Sequence, residues 1–229
     1  MTSFLAQALS ETLWPTRCVL CDAPGSVLCP ACERRLRFID FYQACPRCGA
    51  AWGRIQCETC NPVAADSKPD TGLCLSCLPF DEQAASIVKT YKDKGEQRLA
   101  GVMARMMADI TWPSWKTWAQ GVTFIPATPA AVKRRGFDHA ALLAGAYAAR
   151  IGVPCIPLIA QAQTADQREL GRVERRANIE GRFRAPRAAG FRQVVVIDDV
   201  LTTGATLAGA RKALARQGCD ARCVTFARV

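Results

Sequence analysis

The chain has a single histidine, three tyrosines and no apolar run that approaches the ~20 residues needed to span a membrane. The lone imidazole, His139, lies outside the cysteine-rich front of the chain. Catalytic zinc generally draws on His and keeps one position open, so these cysteines do not suit a catalytic zinc. The opening stretch MTSFLAQALSETLWP has no early Lys or Arg, contains Glu11 and lacks a small-residue cleavage site. It does not read as a signal peptide, and the expected address is cytoplasmic. The 229 residues are 50% hydrophobic and 22% charged, enough for one sizeable core plus a small extra module.

Cysteine, by contrast, is abundant. Ten of thirteen form five C-x-x-C pairs before residue 78: Cys18/Cys21, Cys29/Cys32, Cys45/Cys48, Cys57/Cys60 and Cys74/Cys77. In a reducing compartment such pairs indicate metal rather than disulfides. Two intervening residues make a tight knuckle that aims both thiolates at one ion, and zinc prefers four such ligands in a tetrahedron. The pattern predicts two structural zinc ions whose binding supplies folding free energy to a segment poor in core residues. Cys18, Cys21, Cys29 and Cys32 are near enough to close one site. Cys45/Cys48 needs a partner, and either Cys57/Cys60 or Cys74/Cys77 serves by spacing. NPVAADSKPDTG is loop-like, with Pro62 and Pro69, so 57–72 reads as an insertion and Cys74/Cys77 is the favoured pair. The module is then 1–80 and a second domain 81–229.

Charge divides along the same line. Residues 1–123 carry 13 basic and 12 acidic side chains, a balance of +1, whereas 124–229 carry 17 and 8, a balance of +9. The basic field of the back half favours an anionic partner, either nucleotide phosphates or a nucleic-acid backbone.

After Phe80 the pattern becomes alternating helix and strand. DEQAASIVKTYKDKGEQRLAGVMARMMADI reads as helical segments broken near Gly95, with a Met-rich stripe at core spacing. VTFIPA, VPCIPLI, RQVVVIDD and ARCVTFARV read as strands. FDHAALLAGAYAARIG and TLAGARKALARQG read as helices stopped by Gly152 and Gly218. This alternation predicts an α/β fold with a parallel sheet.

One strand ends unusually. In VVVIDDVLTTGATL (194–207) an apolar run meets Asp198 and Asp199, then a turn of hydroxyls and small residues. At the carboxyl end of a parallel strand, backbone N–H groups and a helix N-terminus cradle an anion. Gly204 allows close approach, and Thr202, Thr203 and Thr206 offer hydroxyl donors. The two carboxylates suit the hydroxyls of an attached sugar or a nearby magnesium ion.

This segment resembles the phosphoribosyl-pyrophosphate (PRPP) loop of type I phosphoribosyltransferases. With Cys18–Cys32, CPRCG (45–49), CLSCLPFDE (74–82), RRGFDHAALLA (134–144) and RVERRANIEGRF (172–183), nearly the whole chain resembles the ComF family, which joins a double zinc ribbon to a phosphoribosyltransferase domain. The resemblance implies a 5′-phosphate on Thr202, Thr203, Gly204, Ala205 and Thr206, ribose hydroxyls on Asp198 and Asp199 as the catalytic pair, and pyrophosphate near Arg135 and Gly136. It implies magnesium bridging ribose and pyrophosphate, and links to DNA uptake and its proteins. Two places depart from the family pattern: Asp138-His139 stands where Asn-Gln is usual, and IPATP (125–129) replaces a PVP segment. No base-selecting motif is recognisable.

Other features are weighed against plainer readings. Arg172, Arg175, Arg176, Arg182 and Arg184 read as a hood over the site, as a strand-binding stretch or as a solvated basic face. Trp112, Trp115 and Trp118 read as edge packing in preference to a base-stacking platform, and Cys155, Cys219 and Cys223 as core thiols. Two functions stand: a phosphoribosyltransferase using PRPP, and a non-catalytic handler of single-stranded DNA on the same fold.

Overall fold

The strands that carry the apolar runs assemble one all-parallel sheet. In the computed structural model, which describes residues 15–55, 57, 60, 73–161, 182–188 and 190–229, its order is β1-β6-β5-β2. The strands are β1 (Cys74–Pro79), β2 (Gly121–Phe124), β5 (Gln193–Leu201) and β6 (Asp220–Arg228). Between them in sequence, β3 (Ala160–Gln161) and β4 (Phe183–Arg184) form a short antiparallel ribbon. The segment VPCIPLI, read as a strand, is reduced to a single bridge from Cys155 to Val122. Pro154 and Pro157 lack the N–H donors that a continuous ladder requires.

The helices are α1 (Pro30–Glu33), α2 (Glu82–Asp93), α3 (Leu99–Ile110), α4 (Pro113–Trp118), α5 (Pro129–Arg135), α6 (His139–Ile151) and α7 (Ala205–Ala215). Gly95, at φ +73°, separates α2 from α3 as the sequence predicts. Side chains on a strand alternate between faces, and β5 shows the consequence. Val195 and Ile197 pack with Ile87 and Tyr91 of α2, Met103 of α3 and Leu143 of α6. Val194 and Val196 pack on the opposite face with Leu207, Ala210 and Leu214 of α7. A parallel sheet with helices on both faces is a Rossmann-type architecture.

β1 lies at the expected boundary between the two parts of the chain. CLSCLP was assigned to the metal module, yet it is an edge strand of the sheet, paired with β6 from Cys74↔Cys223 to Pro79↔Arg228. Its other side meets the cysteine segment: Ile39 N donates to the Cys77 carbonyl (2.8 Å) and Cys74 N to the Arg47 carbonyl (3.2 Å). The front segment thereby covers the open edge. It is also fastened by an ion pair from Arg105 of α3 to Glu33 of α1, at 2.7 Å. Among the described residues no helix is long and apolar enough to cross a membrane.

Candidate functional site

The cysteines gather into two clusters, Cys18/Cys21/Cys29/Cys32 and Cys45/Cys48/Cys57/Cys60, the thiols of each lying within 4.8 Å of one another. The second cluster uses Cys57/Cys60, the alternative to the favoured Cys74/Cys77. Cys74 and Cys77 are buried in β1, where burial pushes the Cys74 thiol up to about 12 and that of Cys77 well above its ordinary value. Protonated core thiols are poor metal ligands. Zinc–sulfur bonds of about 2.3 Å put tetrahedral sulfurs roughly 3.8 Å apart. Cys21 and Cys29 are 3.7 Å apart, and Cys48 and Cys57 are 3.5 Å apart, so both donor sets fit a structural zinc.

Local sequence explains the knuckles. Gly49 follows CPRC at φ +71°, where a Cβ would lie 2.3 Å from the Cys74 carbonyl oxygen. Gly53 lies against the second cluster, its would-be Cβ 2.8 Å from Cβ of Cys45 and 3.2 Å from that of Cys57. Cys29 caps α1, its Sγ accepting from Cys32 N at 3.4 Å.

At the carboxyl end of β5 the two aspartates diverge, because adjacent residues of a strand face opposite sides. Asp198 continues the Val194–Val196 face. Burial and then the neighbouring Asp199 carboxylate push its pKa up to about 8. Its Oδ1 accepts from Asp199 N at 3.0 Å. Asp199 continues the other face, is buried, and forms an ion pair with Lys92 of α2. Beyond β5, Thr202 and Thr203 are exposed and Gly204 is buried at φ +79°, immediately before the first turn of α7. Thr203 Oγ1 accepts from Ala205 N at 3.4 Å, and no side chain caps Gly204. Thr206 is half-buried within that first turn.

Across from Asp199 lie the other predicted residues. Arg135 ends α5, and Gly136 caps it in the left-handed conformation at φ +80°. The Arg135 guanidinium folds inward, with Nη2 3.4 Å from Asp93 Oδ1 and Nη1 3.4 Å from His139 Nδ1. Its Nε is buried without an acceptor among the described residues. Asp138 is spent on α6, where its Oδ1 accepts from Ala140 N (3.0 Å) and Ala141 N (3.1 Å). Asp is among the strongest N-caps, so this residue has a structural role. The acid is therefore engaged by the helix rather than aimed at a neighbouring anion.

Two residues outside the expected site residues complete this cluster. His139 is buried with Nε2 3.8 Å from Asp199 Oδ2, and burial lowers its pKa. Lys92 supplies the nearest cation to Asp199 from 107 positions earlier in the chain. Only the adjacency of His139 to the RGF turn was visible in sequence; nothing local marks Lys92. The tryptophans follow the packing reading: Trp115 is buried, and Arg222 lies over the Trp118 ring at 4.0 Å and the Trp115 ring at 5.2 Å. Cys219 and Cys223 are buried and Cys155 half-buried. Arg172, Arg175 and Arg176 lie outside the described residues, and Arg182 and Arg184 are exposed around β4.

Fold and site together define a Rossmann-type α/β protein with two four-thiol clusters and an acidic strand end facing a hydroxyl-rich helix start. Along most of its length the chain is similar to proteins of DNA use and competence. It is 26% identical over 216 residues to the DNA utilization protein YhgH of Salmonella typhimurium, covering 89% of this chain and 92% of the relative. It is 24% identical over 230 residues to the Escherichia coli K12 protein of that name, covering 90% and 94%. Competence protein F of Haemophilus influenzae is 22% identical over 219 residues, covering 89% and 93%. No family model matches the chain.

Proposed function

We propose that this chain is a ComF-family protein with a type I phosphoribosyltransferase domain, in which the turn after β5 binds PRPP. The cysteine segment is a double zinc ribbon ending before Cys74. One observation carries the reading: the acidic pair at the carboxyl end of a central parallel strand, followed by Thr202-Thr203-Gly204-Ala205-Thr206 with Gly204 left-handed before an uncapped α7. An uncapped helix start offers backbone donors to a 5′-phosphate, and the threonine hydroxyls add to them. Asp198 is the more accessible carboxylate and takes a ribose hydroxyl. Asp199, on the opposite face, fixes through its ion pair with Lys92 the strand end that presents Asp198. Arg135, with its acceptor-less Nε, and the Gly136 turn flank the pyrophosphate.

In the reaction so read, a nucleophile bonds to ribose C1 as the C1–O bond breaks and its electron pair leaves with pyrophosphate. The protein supplies position and fixed charge rather than covalent chemistry. A magnesium ion bound with PRPP would supply charge neutralisation for the departing pyrophosphate, next to Arg135 and the Gly136 turn. The acceptor is a nucleophile carried by a base or a related compound.

Calorimetry with magnesium and PRPP tests the reading. The native protein is expected to bind in the micromolar range, and the Asp198→Asn, Asp199→Asn double variant is expected not to. No binding by folded, zinc-loaded native protein would sink the enzymatic reading. A second reading then takes over, favoured by the names of the relatives and the +9 balance of residues 124–229: a handler of single-stranded DNA working with DNA-uptake proteins. Its signature is strand binding that weakens steeply with salt.

A further inference from the structure

His139 occupies a position that packing alone does not require. It stands between the Asp199 carboxylate near the end of β5 and the arginine that ends α5, and each of its ring nitrogens faces one of them. Nη1 of Arg135 lies 3.4 Å from Nδ1. A guanidinium can only donate, so Nδ1 must accept and carries the lone pair. In the neutral ring the proton is then on Nε2, the nitrogen 3.8 Å from Asp199 Oδ2. That separation is an electrostatic contact longer than a direct hydrogen bond.

The surroundings hold the ring in place. Tyr91 Oη of α2 donates to the His139 carbonyl at 2.5 Å, and its ring meets the imidazole edge-on at 6.4 Å between centroids. Lys92, the next residue of α2, pairs with the same Asp199 oxygen that Nε2 faces. Asp93, one further on, holds the other end of the Arg135 guanidinium at 3.4 Å. Three consecutive residues of α2 thus grip His139, Asp199 and Arg135 in turn, and Asp138 fixes the start of α6 from the other side.

We infer that His139 is a positioning residue that ties Arg135 to Asp199, so that the pyrophosphate and ribose halves of the site are set relative to each other. This rests on the phosphoribosyl reading above. His139 touches neither half of the ligand; it acts through Arg135 and through Asp199, which fixes the strand end that carries Asp198. Glutamine has an acceptor and a donor about as far apart as the two imidazole nitrogens and is the conservative replacement. Leucine fills similar space and offers neither.

The test uses the full-length, zinc-loaded protein. With one histidine in the chain, ¹⁵N-labelled imidazole gives a single set of ring signals. The expected spectrum at neutral pH is the Nε2–H tautomer, with Nδ1 shifting in Arg135→Lys and Nε2 shifting in Lys92→Met. Magnesium–PRPP affinity is expected to fall about tenfold in His139→Leu and to return to within about threefold of native in His139→Gln. Ribose 5-phosphate, which lacks the pyrophosphate, is expected to lose far less in His139→Leu. Unchanged thermal unfolding and zinc content in both variants separate positioning from folding. An Nδ1–H tautomer overturns the inference, as does a His139→Leu variant that binds PRPP like the native protein. If His139→Leu unfolds, a His139→Gln protein that folds but binds as weakly as Arg135→Lys overturns it equally. A native protein that shows the expected tautomer and binds no PRPP overturns the phosphoribosyl reading itself, and the role of His139 in it.

Discussion

Arg228, at the end of β6, donates from Nη1 to the carbonyl of Cys48, 2.6 Å away, with the Cys48 sulfur at 3.8 Å. The same residue pairs in register with Leu201, the last residue of β5 before the threonine turn. One buried arginine therefore joins the second cysteine cluster to the end of the sheet where the candidate site lies. Replacing it by Met removes a charge-assisted hydrogen bond, and about 2 kcal/mol of unfolding free energy is expected to go with it. Chelator competition should show faster zinc release from one of two sites, with the other unaffected.

The pairing of thiols gives a second expectation. Cys57→Ser or Cys60→Ser should bind one zinc equivalent fewer than the native protein when measured by elemental analysis. Cys74→Ala and Cys77→Ala should keep the native zinc content and lose stability, because a buried thiol at an edge strand is removed. The opposite pattern would return the second site to Cys74/Cys77.

The choice between Cys57/Cys60 and Cys74/Cys77 could not be made from spacing alone. C-x-x-C spacing fits a zinc knuckle, and cysteine is also a small hydrophobe that suits a strand buried on both faces. A distinguishing signal was present: CPRCG supplies Gly49 for the turn, while CLSCLP has no glycine after its second cysteine and reads as a continuous buried run. The strand and helix pattern behind it was legible because periodicity is local. RQVVVIDD became β5, TLAGARKALARQG became α7, and FDHAALLAGAYAARIG became α6. VPCIPLI failed as a strand for want of proline N–H groups. Lys92 and His139 were illegible as partners of Asp199 because their roles depend on how α2 and α6 pack on β5.

Lys92, partly buried, pairs with the buried Asp199, their side chains 24% and 4% exposed. Removing the cation strands a carboxylate in the interior, which typically costs about 3–5 kcal/mol. Lys92→Met should lose stability on that scale in denaturant unfolding. The Lys92→Met, Asp199→Asn double variant should recover much of it, because the uncompensated charge is gone. Equal losses in the single and double variants would show that the pair is not energetically coupled.

Asp198 makes stability depend on pH. Its folded pKa is raised from an ordinary 3.8 to about 8, chiefly by burial, so the native state favours the protonated acid. Between those values the folded chain holds a proton that the unfolded chain has released. The stability this confers is fully present below the ordinary value and is lost as pH rises through about 8. Asp198→Asn has no such proton to lose. Denaturant midpoints at about pH 5, 7 and 9 should therefore show the native protein falling progressively relative to the variant, then levelling. A constant difference across that range would place the Asp198 pKa near its ordinary value.

Gly204 offers the sharpest separation of fold from site. Its φ of +79° is natural for glycine, and a Cβ there costs about 1 kcal/mol. That penalty is small beside the packing of Leu207, Ala210 and Leu214, which hold α7 against the sheet. Gly204→Ala is thus expected to fold with a slightly lowered melting temperature and native helix content. Any ligand phosphate at the start of α7 must approach the backbone at this residue, where a methyl group intrudes. Calorimetry with magnesium and PRPP should record a loss of affinity well beyond the loss of stability. If affinity instead falls only in step with stability, the anion does not lie against this turn, and the threonines there serve to shape the end of β5.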